Sequence, residues 1–188
     1  MLSTWSSFYI MIGSSAAALT GLMFVVITLV TRDEDAARSR DGVSTYSTPT
    51  VVHFCIALVV AVYMSSPGQT ATSIGIGNGI LGVVGLLYVA DAMRAAGGLR
   101  EYQPVGSDWL WHGGCPILAY TIFLVVAVVI CTGHVAGGLK LLAADTMFIL
   151  LTAIHNAWDA ATWVAMSLSR QKKKESEDAA RSDSPDTA

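Results

Sequence analysis

His155 and Asp159 stand one helical turn apart inside a long apolar run, and an imidazole beside a carboxylate on one helix face can ligate a metal or pass a proton. Counting 100° per residue, Asp145, Thr152, His155, Asn156, Asp159 and Thr162 fall within a sector of about 120°, so one face of this segment is polar from end to end. At 1.5 Å per residue the stripe covers roughly 25 Å, against a hydrocarbon layer about 30 Å thick. Ionisable groups at such depth are expensive and face protein or water. His53, one turn past Pro49, and His112, at the end of Asp108-Trp109-Leu110-Trp111-His112, belong to two other apolar runs. With Trp163 taken as an interfacial marker, His53, His112 and Asp159 lie at one side of the layer with His155 a turn deeper, so three helices can bring imidazole or carboxylate to one region.

Three chemistries fit these types. A proton or cation pathway uses the whole stripe, Asp145, Thr152, His155, Asn156, Asp159 and Thr162. A metal or haem site uses His53, His112, His155 and Asp159, and leaves Asp145 and Thr152 without a role. A zinc-dependent intramembrane hydrolase would take Asp159 as base, but such enzymes usually carry paired histidines on one helix, which this chain lacks. Beside these stands a structural role, in which the polar side chains only hold helices together. Asp145, towards the outer end, is placed to pair with Lys140 or to face a pore mouth, and His134 is expected in an exposed loop.

The elements that must position these residues follow from composition. The chain has 188 residues, 53% hydrophobic and only 13% charged, with a positive mean hydropathy, which excludes an ordinary soluble domain and a disordered chain. A net charge of -3 argues against nucleic acid as a partner. Five apolar runs reach bilayer length: about Trp5 to Thr31, Pro49 to Ser65, Thr70 to Met93, Trp109 or Pro116 to Thr132, and Gly138 to Leu168. The first could be read as a signal peptide, but it lacks a basic start and runs on to arginine after Thr31, so it is read as a retained span.

Five spans place Arg32, Arg38, Arg40, Arg94, Arg100, Arg170, Lys172, Lys173, Lys174 and Arg181 on one side and only Lys140 on the other. Basic residues stay inside, so the N-terminus is expected outside and the C-terminus in the cytoplasm. The loop Arg32 to Thr48 reads as a solvated connection closed by a helix start at Pro49, and the tail from Ser169 to Ala188, basic and then acidic, as disordered. Trp5, Tyr102, Trp109, Trp111 and Trp163 fit interfacial anchoring, and Cys55, Cys115 and Cys131 fit small buried hydrophobes.

Two runs carry faces of small residues. Ser7, Ser14, Gly21 and Thr28 recur by sevens beside Ala17 and Ala18, and Gly75, Gly79, Gly82 and Gly85 flank Asn78; both read as helix contacts, within the chain or between copies. Gly77 to Gly82 also spell the dinucleotide fingerprint G-x-G-x-x-G, an accident in an apolar run with no preceding strand.

The strings Thr48-Pro49-Thr50-Val51-Val52-His53-Phe54, Asp108-Trp109-Leu110-Trp111-His112 and Ile154-His155-Asn156-Ala157-Trp158-Asp159 resemble strings that recur in a group of uncharacterised small bacterial multi-span inner-membrane proteins. The resemblance covers most of the apolar part. It implies a bacterial inner-membrane location and carries no activity with it.

The expectation is therefore an all-α integral membrane bundle of five transmembrane helices in residues 1–168, followed by the tail 169–188. Its surroundings are the lipid bilayer, further copies of itself as a homo-oligomer, and an ion or small solute, with no nucleic acid.

Overall fold

The computed structural model describes residues 2–31, 40–97 and 109–182. Among them every long element is helical and no strand occurs. A 3-10 turn over Leu2–Trp5 leads into α1 (Ser6–Thr31), followed by α2 (Arg40–Ser65) and α3 (Ala71–Gly97). A π-helical turn over Leu110–Gly114 then runs into α4 (Cys115–Cys131), and α5 (Val135–Ser182) completes the order. Five segments of these described residues are long and apolar enough to cross a membrane: Ser6–Thr28, Thr48–Ser65, Ala71–Ala95, Leu110–Cys131 and Val135–Thr162.

Two short turns make antiparallel pairs. Between α2 and α3, Thr70 caps the new helix: its Oγ1 accepts from the Ser73 N–H at 3.1 Å while Ser73 Oγ accepts from the Thr70 N–H at 2.9 Å. Tyr63 Oη donates to the Ser73 carbonyl at 2.7 Å, fastening the end of α2 to the start of α3. Between α4 and α5, Gly133 takes φ +93°, the left-handed conformation that a side chain would resist. Its N–H bonds to Ile130 O at 3.0 Å and that of His134 to Val129 O at 3.1 Å, the two bonds of a Schellman ending. His134 is exposed there, in the expected loop.

Three boundaries differ from expectation. α2 begins at Arg40, so Pro49 lies inside the helix and not at its first turn. A missing N–H is tolerated free of cost only at a helix start; at Pro49 the helix loses one backbone bond and its ring crowds the carbonyl four residues back, a cost α2 bears. The residues 32–39 of the expected loop lie outside the described ones, as do Tyr102, Asp108 and the side chain of Trp163. α5 starts at Val135 and runs to Ser182, through much of the segment expected to be disordered. Gln171, the lysines 172–174, Glu175, Ala179 and Ala180 are strong helix formers, and no glycine or proline interrupts them before Pro185. Polarity forbids such a segment a core without forbidding it a helix.

α5 occupies the middle, packed on α2 and α4 and reaching α1; α3 packs mainly on α4, and α1 on α2. The core is built from Phe54, Val60, Tyr120, Phe123, Leu142 and Ile149. The two small-residue faces part ways. Gly75, Gly82 and Gly85 of α3 receive α4: a Cβ on Gly82 would stand 2.9 Å from the Tyr120 carbonyl, and one on Gly85 would overlap the Tyr120 ring. On α1, Ser7, Ser14, Ala17, Ala18, Gly21 and Thr28 are all exposed, and nothing lies within 4 Å of a Cβ built on Gly21.

Candidate functional site

The polar stripe of α5 divides into two rows. Asp145, Thr152 and Asn156, spaced by seven and four, are buried together with Thr146. His155, Asp159 and Thr162 are rotated from that row by some tens of degrees and are only partly covered. Their side chains remain partly exposed, 38% for His155 and 46% for Asp159.

The outward row is locally satisfied. His155 Nε2 lies 3.3 Å from Asp159 Oδ2, one turn on. The indole of Trp111 stacks on the imidazole of His155 with ring centroids 3.9 Å apart, so this tryptophan contacts the site and does not serve only as an anchor. Thr162 Oγ1 donates to the carbonyls of Trp158 and Asp159, both at 3.0 Å.

The buried row combines satisfied and unsatisfied groups. The hydroxyls of Thr146 and Thr152 donate to the carbonyls of Leu142 and Phe148, one turn back, at 2.7 and 2.9 Å. Asn156 Nδ2 donates to the Trp111 carbonyl at 3.3 Å. The π turn and Pro116 explain why that carbonyl is available. The Cys115 N–H bonds to Leu110 O, five residues back, and the next residue, which would bond to Trp111 O in the same register, is a proline without an N–H. Asn156 supplies the missing donor.

Asp145 differs from all of these. It is 2% exposed, and neither Oδ1 nor Oδ2 has a hydrogen-bond partner. It lies ten residues, about 15 Å, into the apolar segment Val135–Thr162. The expected pairing with Lys140 or exposure at a pore mouth does not occur: Lys140 is exposed, and five residues of helix turn it roughly 140° away from Asp145. Tyr120 of α4 interacts electrostatically with Tyr88 of α3 and, less strongly, with Asp145. The Tyr120 hydroxyl is 2.9 Å from Nδ1 of the fully buried His53 on α2. His53 Nε2 has no partner, and His112 in the π turn interacts electrostatically with the same ring.

The four candidate metal ligands are thus distributed between two places, His53 with Tyr120 and in electrostatic range of His112, and His155 with Asp159. Among the described residues no three His, Cys, Asp or Glu side chains converge to hold a metal ion. Cys55 and Cys131 are exposed and Cys115 is partly so, all as free thiols, so the expected burial does not hold. Sequence reasoning passed over Tyr120. Its signal was there: a phenol ten residues inside an apolar run is far from the interface where such rings usually sit, and a buried hydroxyl needs a partner. Asn78, buried on α3 with Oδ1 unpartnered, was read only as part of a packing face.

No protein-family model matches the chain, and no match emerged among curated proteins or solved structures.

Proposed function

We propose that this chain is a multi-pass protein of the bacterial inner membrane, N-terminus outside and C-terminus cytoplasmic, that carries protons or cations through its helical bundle by way of Asp145 on the buried polar row of α5. The observation that carries this reading is Asp145: a carboxyl group ten residues inside an apolar helical segment, buried, with both oxygens unpartnered. An unpaired carboxylate in apolar surroundings costs several kcal/mol, so the position demands a proton or a cation, and a group that only fastened helices would have a donor from its neighbour. The ten basic residues on one side of the five spans support the orientation. The exposed small-residue face of α1 supports assembly with further copies of the chain.

Helix fastening is favoured at one position, Asn156, because its amide replaces the donor that Pro116 lacks. A metal or haem site would need His53 of α2 and the His155–Asp159 pair of α5, which the fold holds in two places, to come together.

Reconstitution into liposomes tests the pathway. Proton or monovalent-cation flux above that of empty vesicles is expected, and its loss in Asp145→Asn, with the protein still monodisperse and helical. Flux equal to wild type in a well-folded Asp145→Asn sinks the assignment.

A further inference from the structure

His53, Tyr120 and Asp145 come from three helices, His53 towards one end of the bundle and the other two deeper at one height. Gly75 against Cys131 and Gly85 against Tyr120 make α3 antiparallel to α4, which with the two turns leaves α2 and α4 parallel and α5 antiparallel to both. His112 is two residues inside the start of the segment Leu110–Cys131, His53 five residues inside the start of Thr48–Ser65, and Tyr120 ten residues inside its own segment. Their backbones therefore stand at about 3, 8 and 15 Å from the same end. Asp145, about 15 Å from the opposite end, matches the height of Tyr120.

We infer that Asp145 exchanges a proton with that end of the bundle through Tyr120 and His53, with His112 at the entrance, so the species handled at this site is a proton and not a metal cation. The inference rests on the pathway reading above and names its cargo and one half of its route. The donor set decides the cargo. Calcium takes six to eight oxygen ligands and zinc at least three protein ligands, whereas the site offers one carboxylate and one phenol, the latter already bonded to imidazole. A proton needs a single acceptor.

The transfer balances without any other reactant. A proton arriving at the unpartnered His53 Nε2 makes an imidazolium, whose Nδ1–H is then given to Tyr120 Oη. Tyr120 releases its own hydroxyl proton to the Asp145 carboxylate and stays neutral. One proton has moved from the His112 end to Asp145, and the relay resets when the Tyr120 hydroxyl rotates and the His53 proton changes nitrogen. Asp145 and Tyr120 interact without a hydrogen bond, so the last hop takes place through a rotation of the carboxyl group or one intervening water. The outward pair His155 and Asp159 has no place in this route.

The test is proton entry into liposomes that hold a trapped pH dye and the full chain, under an imposed gradient, with potassium and sodium flux measured in parallel. Tyr120→Phe deletes one oxygen and keeps the ring that fills the space over Gly85, and His53→Gln is scored beside it as a second variant. The expected result is at least a tenfold fall in proton flux in Tyr120→Phe, His53→Gln and Asp145→Asn, and a change below twofold in the double variant His155→Ala, Asp159→Asn. Proton flux kept in both folded relay variants but lost in Asp145→Asn overturns the relay and leaves the pathway standing. Sodium or potassium flux without proton flux in the wild type overturns the proton assignment alone, and no flux of any kind overturns the pathway and the relay together.

Discussion

Two aspartates of one helix, Asp145 and Asp159, are about 40° apart around α5 and meet opposite fates. Asp159 is half exposed and has His155 one turn back. Asp145 is sealed between α5 and its neighbours with no donor for either oxygen. The residue type and its helical face are nearly the same, so the difference comes from what α2 and α4 cover. An exposed His–carboxylate pair is worth little and is readily replaced. A buried orphan carboxyl is costly, and a fold that keeps one has a use for the charge or the proton.

The sharpest way to break the comparison is to neutralise each aspartate in turn. Asp145→Asn is expected to lower flux at least tenfold and Asp159→Asn to change it less than twofold, measured in the same liposome preparation. Equal losses would put both rows in the pathway and remove the distinction between them.

A second comparison sets Gly85 against Gly21. Gly85→Ala drives a methyl group into the Tyr120 ring, so it should cost about 1 to 3 kcal/mol of stability by overpacking and also separate Tyr120 from His53. Gly21→Ala meets nothing within the chain and should leave a monomer unchanged or stabilise it by about 0.4 to 1 kcal/mol. Thermal unfolding in detergent reads both. If copies assemble through α1, Gly21→Leu should shift the protein to a smaller species in light scattering while Gly21→Ala does not.

Asn156→Ala should be milder, about 1 to 2 kcal/mol, because it leaves the Trp111 carbonyl without a donor at a turn where Pro116 cannot replace it. His155→Ala should cost less again, under about 1 kcal/mol, because its contact with Asp159 is partly exposed to solvent. A larger loss in His155→Ala than in Asn156→Ala would mean that the Trp111 stack, and not the carbonyl bond, holds the π turn on α5.

Much of the fold was legible because a run of apolar residues at bilayer length leaves a backbone little choice but helix. The five runs and the five helices agree to within a few residues at most ends. Pro49 misled, since a proline at a helix start and one inside a helix look alike in sequence. The tail misled because low hydrophobicity was read as disorder where alanine, glutamate and lysine also favour helix. In the candidate site, the stripe on α5 and the histidines on other helices were visible by spacing alone. Tyr120 was not singled out, because one phenol in an apolar run has no periodicity to mark it.

What the sequence determined by itself is the set of things that depend on distance along the chain: five apolar segments, the bias of basic residues, and which residues share a helix face. The tertiary structure alone decided which part of that face is covered. Packing of α2 and α4 over one row of α5 puts Asp145 out of reach of water and brings His53 to Tyr120 across 67 positions of sequence. The physical reason is that helical periodicity sets an angle around an axis, whereas desolvation and hydrogen bonding depend on which neighbour stands at that angle.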